Sequence, residues 1–166
     1  SHGILRKNKH WDYDIKNLGY NFRLSDINCA LGISQLKSVK KFIKKRRKIA
    51  SFYHKHLKNL SDYLIPNEKY NNLSSYHLFI VRLNFKNFKN VNKDKFINFM
   101  RKNNINLQFH YKPIYNYSFF KKKNQYRVSF KINSDKYFKN AVSLPIYYNL
   151  DQKSLKKIIV IINKFI

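Results

Sequence analysis

Apolar residues from Ile27 onward recur at helical spacing. Ile27, Ala30 and Leu31 share one face with Ser34, Ser25 precedes them as an N-cap, and Asp26 puts an acid in the first turn. This predicts a helix that buries its apolar face, with Cys29 as a core residue. Val39, Phe42, Ile43, Arg46, Ile49, Ala50, Tyr53 and Leu57 continue the period, while Lys40, Lys41, Lys44, Lys45, Arg47 and Lys48 take most of the remaining surface. The reading is two consecutive helices with a break near Leu36 to Ser38 and a solvated basic face over 37–48. Pro66 and Asn71-Asn72 then mark a loop, and the run from His77 to Leu83 reads as a strand.

Asn92 caps a predicted helix with Phe96, Phe99 and Met100 inward, and Asn103-Asn104 provides a stop that tolerates left-handed backbone. Asn106 to Tyr111 reads as a further strand ended by Pro113, and Lys121 to Asn124 as an exposed loop. A short helix over Ser134–Lys139, a strand at Val142–Leu144 and a last helix capped by Asp151, with Leu155, Ile158, Ile159 and Ile162 inward, complete the pattern. Helices alternating with short strands and no Gly-rich turn between them predict an α+β layer, not a doubly wound sheet.

Composition changes this picture little, and charge changes it in one respect. With 166 residues, 43% of them hydrophobic and 17% aromatic, the chain can bury a core as one domain. Its 35 basic and 8 acidic residues leave a formal charge of +27, which raises a basic nucleic-acid-binding module, with Phe42, Tyr53 and Tyr111 interleaved among the charges, as a rival function. Lys, Asn, Ile, Tyr and Phe are enriched together along the whole chain, as in the product of an AT-rich coding sequence, and that bias supplies charge without selection for a polyanion. Nucleic acid is therefore not the expected partner. One cysteine excludes an internal disulfide framework, and the longest apolar run, Ile158 to Ile162, is too short to span a bilayer, so a cytoplasmic protein without a membrane partner is expected.

Candidate chemistry is sparse. The only glycines are Gly3, Gly19 and Gly32, so neither a P-loop nor a G-x-G-x-x-G turn exists. Glu68 is the sole glutamate, and the seven aspartates are too scattered to suggest an acid/base pair. His54 and His56 lie two apart, on different helical faces, and read as solvated histidines, not metal ligands. Asn21 stands just ahead of a helix N-terminus and suits a phosphate, with a turn residue bonded to its own backbone as the structural alternative. Arg23 can help hold an anion or pair with Asp26 three residues on. His110 and Tyr111 alternate at the end of a predicted strand, as substrate contacts or as a satisfied core pair.

The stretch Gly19-Tyr20-Asn21-Phe22-Arg23-Leu24 resembles the G-[YH]-N-[YF]-R-[LM] motif of the DegT/StrS-type sugar aminotransferases, which use pyridoxal 5′-phosphate (PLP). Gln35-Leu36, 45–50 and Tyr53 resemble the family's following helices, and His77 to Leu83 its next strand. Phe109-His110-Tyr111-Lys112-Pro113 resembles its H-Y-x-P segment, and Ser143-Leu144-Pro145 its terminal S-L-P strand. Within the family, the 110–120 region is most similar to UDP-4-keto-sugar aminotransferases of the pseudaminic-acid pathway.

The resemblance implies the small C-terminal domain of a type I fold aminotransferase, with helices on a short, mainly antiparallel sheet. It places a leading helical segment over 1–60 and the small domain over 61–166. It also implies that the Schiff-base lysine lies in a larger N-terminal portion, so that no catalytic residue falls in this chain and no independent turnover is expected. The matching Asn21 would reach the PLP phosphate of the neighbouring subunit in a homodimer, and His110, Tyr111 and Arg23 would meet a nucleotide-sugar substrate. Glutamate is the expected amino donor, and surface-glycan synthesis the expected setting. A dehydratase of the same fold, with His replacing the Schiff-base Lys, is the enzymatic alternative.

Overall fold

The Ser25 hydroxyl accepts the amide of Asn28 at 3.4 Å, and from there one unbroken helix, α1, runs over Asp26–Leu57. The expected break near Leu36 to Ser38 is absent. Leu36-Lys37-Ser38 contains neither Pro nor Gly, and nothing in it interrupts the backbone ladder once flanking turns hold it. The computed structural model describes residues 4–6, 13–15, 18–20, 22–88, 91–122 and 132–166. It divides into two compact units, Ser1–Lys40 and Lys41–Ile166.

In the first unit β1 (Ile4–Arg6) pairs antiparallel with β2 (Tyr13–Ile15), with Ile4 opposite Ile15. Neither strand is predicted from sequence, since three residues are too few to establish an alternation. The Tyr20 and Phe22 rings stack with centroids 5.2 Å apart. The first half of α1 corrects the sequence reading: Ile27 is 81% exposed, and Leu31, Ala30 and Cys29 are exposed with it. Periodicity determines which residues share a face, but not whether anything covers that face.

In the second unit β3 (Leu64–Pro66), β4 (Phe79–Leu83) and β5 (Ala141–Leu144) form an antiparallel sheet in that spatial order, with Leu64 opposite Leu83 and Phe79 opposite Leu144. The strand expected at 77–83 is present as β4 without His77 and Leu78, and the one expected at 142–144 is present as β5. Pro66, read as loop, ends the edge strand β3, where a missing N–H costs no ladder bond. Alternation along β4 turns Phe79, Val81 and Leu83 into the core and leaves Arg82 exposed.

That core is closed by Ile49, Tyr53 and Leu57 from α1, Phe96 and Met100 from α2 (Lys93–Lys102), and Leu155, Ile158 and Ile162 from α5 (Gln152–Phe165). Both predicted caps are made: Asn92 accepts from the Lys95 amide at 2.9 Å, and Asp151 from the Ser154 amide at 2.6 Å. Asn104 takes the left-handed stop at φ 60°. No described helix is long and apolar enough to cross a membrane.

Three further expectations change. The strand over Asn106–Tyr111 reduces to a single bridge between Gln108 and Ser143, because the chain leaves the edge of β5 after two backbone bonds of 3.2 and 2.8 Å. Lys121 and Lys122 belong to α3 (Ser118–Lys122), not to a loop, and Lys123-Asn124 lies outside the described residues. The helix expected at Ser134–Lys139 is α4 (Ile132–Asn140).

The basic face of α1 is not uniformly solvated. Arg46 donates from Nη1 to the carbonyls of Tyr76 and His77 at 3.0 and 2.9 Å, and Arg47 donates to those of Ser74 and Leu73 at 2.8 Å each. The two guanidinium groups bind the loop ahead of β4 to the helix, and both residues are half-buried.

His54 differs from its solvated reading as well. It packs edge-on against Phe79 at 5.1 Å and Tyr70 at 5.7 Å. Burial lowers its pKa, with Glu68 opposing. The unfolded chain therefore binds this proton more readily than the folded one, so stability falls as pH drops from about 6.5 towards the lower folded value. Denaturant midpoints should decline between pH 7 and 5, with the slope reduced in His54→Gln. An unchanged slope in that variant would assign the dependence to other groups.

Candidate substrate-binding site

The extended segment beside β5 ends at His110 and Tyr111, which are joined by a cis peptide bond. The Ser143 side chain, buried in β5, lies with its Oγ 2.8 Å from His110 Nδ1. This contact sets the plane of the imidazole. His110 lines a cavity of about 450 Å³ together with Arg46, Gln108, Ser143 and Tyr147. Tyr111, 70% exposed, lines a different and larger cavity of about 870 Å³ with Arg82 and residues of α4. Their rings meet edge-to-face at 4.8 Å, so the pair forms a partition between two chambers.

The walls of the larger chamber are held by polar contacts that sequence reasoning missed. Tyr115 Oη and Asn116 Nδ2 both donate to Asp135 Oδ1, at 3.2 and 3.0 Å, which holds the turn after Pro113 against α4. Lys93, at the start of α2, donates from Nζ to the Phe138 carbonyl at 2.6 Å and lies 4.9 Å from the Phe109 ring centroid and 4.7 Å from that of Phe138. Burial lowers its pKa against the influence of Asp94. One lysine thereby ties α2, α4 and the residue before His110 together. Nothing in the spacing of 93, 109 and 138 could have announced this.

The motif residues belong to the other unit. Asn21 lies outside the described residues. Arg23 is exposed and makes no ion pair with Asp26 among the described residues. The start of α1 offers the amides of Asp26 and Ile27 without intrahelical acceptors, and Arg23 precedes it by three residues in sequence. The free amides of a helix start suit the phosphate of a cofactor such as PLP, although the Asp26 carboxylate in the same turn opposes it.

The family model of the DegT/DnrJ/EryC1/StrS aminotransferases matches residues 1–163. A UDP-4-amino-4,6-dideoxy-N-acetyl-beta-L-altrosamine transaminase of Campylobacter jejuni is 38% identical over 157 residues, covering 94% of this chain and 40% of its own length. The transaminase of the same name from Helicobacter pylori is 31% identical over 159 residues. Among solved structures, Helicobacter pylori PseC, an aminotransferase involved in the biosynthesis of pseudoaminic acid, superposes with a TM-score of 0.77 at 30% identity over 99% of this chain and 43% of its own. The sugar aminotransferase CalS13 of Micromonospora echinospora, at 20% identity, shares the fold with the same TM-score. The chain spans about 40% of the length of the curated relatives it matches. With its helices on a small antiparallel sheet and the match running from end to end, the chain belongs to the DegT/DnrJ/EryC1/StrS aminotransferase family.

Proposed function

We propose that the chain is the C-terminal part of a PLP-dependent aminotransferase that moves an amino group from glutamate to a keto group on a nucleotide-linked deoxysugar, in the cytoplasm, for surface-glycan synthesis. The observation that carries this reading is the family match over residues 1–163. Identity of 38% to a UDP-sugar transaminase supports the nucleotide-sugar substrate. PLP, when bound, carries the amino group between donor and acceptor. This chain's share is to position: His110, oriented by Ser143, offers a ring nitrogen to a substrate hydroxyl or carbonyl, and Tyr111 a phenol on the other side of the partition.

The test is a complete enzyme carrying this chain, supplied with ¹⁵N-glutamate and a UDP-4-keto-6-deoxy sugar. A sugar product that gains the label is expected. A deoxygenated product without nitrogen would assign the dehydratase chemistry instead.

Asn21 and Arg23 supply a second test. In the proposed homodimer Asn21 reaches the neighbouring subunit's PLP phosphate and Arg23 its substrate, so Asn21→Ala should weaken PLP affinity about tenfold, the worth of one charge-assisted hydrogen bond. Equilibrium titration of PLP on dimers verified by sedimentation measures it. Unchanged affinity would leave Asn21 as a turn residue only.

A further inference from the structure

His110 carries the substrate contact proposed above, yet little of the backbone around it is held. The bridge to β5 ends at Gln108, and among the described residues neither Phe109 nor His110 makes a backbone–backbone hydrogen bond. The imidazole meets Ser143 Oγ at 2.8 Å, which fixes its far end only. The placement of Phe109, and with it the root of the His110 side chain, is left to side-chain contacts.

Lys93 makes that contact. Its ammonium lies 4.9 Å from the Phe109 ring centroid and 4.7 Å from that of Phe138, both within the distance at which a cation is drawn to an aromatic face. It also donates to the Phe138 carbonyl at 2.6 Å. Phe138 stands in the last turn of α4, where a carbonyl has no intrahelical donor, so the lysine satisfies an open helix end. Asn140 of α4 is followed directly by Ala141 of β5, and Ser143 is the third residue of that strand.

These contacts close a ring. From Lys93 one path runs through Phe109 to His110, the other through Phe138 and the α4–β5 junction to Ser143, and the two meet where Ser143 holds the imidazole. Resting on the aminotransferase reading above, we propose that Lys93 is a positioning residue for His110. Its cation keeps Phe109 and the α4–β5 junction in the relation that lets Ser143 set the ring. Lys93 itself lines neither chamber and acts through His110. A neutral side chain of similar length would fill the space between the rings without capping the carbonyl or attracting the ring faces. The half-buried setting strengthens both interactions, because less water competes for the ammonium.

The test compares three variants. Lys93→Met keeps the length and loses the cation, whereas Lys93→Arg keeps both cation and donors. Asn92→Ala weakens the same helix by removing its cap, without touching Phe109 or Phe138, and so measures a merely structural loss. In the 166-residue chain, Lys93→Met should move the His110 imidazole nitrogen resonances, Lys93→Arg should return them, and Asn92→Ala should leave them in place. In the complete enzyme, Lys93→Met should lower kcat/KM for the nucleotide sugar about tenfold, as a misplaced contact does, and leave that for glutamate unchanged. With His110→Gln already present, Lys93→Met should cost nothing further.

Unmoved His110 resonances in Lys93→Met, no return in Lys93→Arg, an equal movement in Asn92→Ala, or a full further loss on top of His110→Gln would overturn the proposal. Where Lys93→Met does not fold, the parent chain decides. Its Lys93 ε-methylene protons should be shifted upfield by the two rings and lie close to Phe109 ring protons, and their appearance at ordinary shifts would overturn the proposal equally. Amino transfer indifferent to Lys93→Met would remove the positioning role while the aminotransferase reading stands. His110 resonances that depend on Lys93 in an enzyme transferring no amino group would do the reverse.

Discussion

Tyr53→Ala is expected to destabilise the Lys41–Ile166 unit by about 4 kcal/mol or more, a large share of the roughly 5–15 kcal/mol that holds a domain folded. Tyr53 is fully buried, meets Phe79 at a centroid distance of 4.9 Å, and donates its hydroxyl to the Pro145 carbonyl at 2.8 Å. Truncation therefore opens a cavity of ring size between α1 and β4 and also leaves a carbonyl unpaired where β5 ends. Tyr53→Phe keeps the ring and loses only the hydrogen bond, which costs about 1 kcal/mol. Urea titrations of the two variants separate the contributions, and a Tyr53→Ala midpoint within error of Tyr53→Phe would mean that the ring is not packed as described.

The same residue predicts an alkaline effect. Burial, the larger cause, and the nearby Tyr147 raise the phenol pKa. Stability from this group is fully present below the unfolded value of about 10 and is lost as pH rises beyond it, so the Tyr53→Phe chain should lose less stability above pH 10 than the parent.

The second large effect concerns polyanions. If the positive charge reflects amino-acid usage and not a nucleic-acid site, DNA or RNA binding at low salt should be sequence-independent and should fall by about a thousandfold or more between 50 and 200 mM salt. The structure sharpens this expectation. A specific module would need Lys44, Lys45, Arg46 and Arg47 as a group, but the two arginines are spent on the carbonyls of 73–77. Replacing them should lower thermal stability at least as much as it lowers nucleic-acid affinity. Competition binding with a defined duplex against bulk DNA decides the matter: a selective complex that survives physiological salt would overturn the aminotransferase assignment of function.

Much of this protein was determined locally. The caps at Ser25, Asn92 and Asp151, the stop at Asn104, the inward faces of α2 and α5, and the strands β4 and β5 all follow from a periodicity or a single side chain acting on its own backbone. The family motifs were equally legible, because they are runs of consecutive residues.

What only the tertiary structure decided depends on contacts between distant residues. Cys29, Ile27 and Leu31 sit on a helical face that sequence predicts correctly, yet no described residue covers that face. The bridge at Gln108 was indistinguishable from a strand, because an extended chain alternates whether or not it is paired. β3 was hidden because three residues carry no period, and its Pro66 argued for a loop. The site shows the same division. His110, Tyr111 and Ser143 could each be named from a motif, whereas the contact of Ser143 with His110 across 33 residues, the role of Lys93, and the meeting of Arg82 and Lys136 in one cavity wall could not. Alternation along β4 put Arg82 on the outer face, but only the packing of α4 against that strand brought Lys136 and Tyr137 into the same cavity wall.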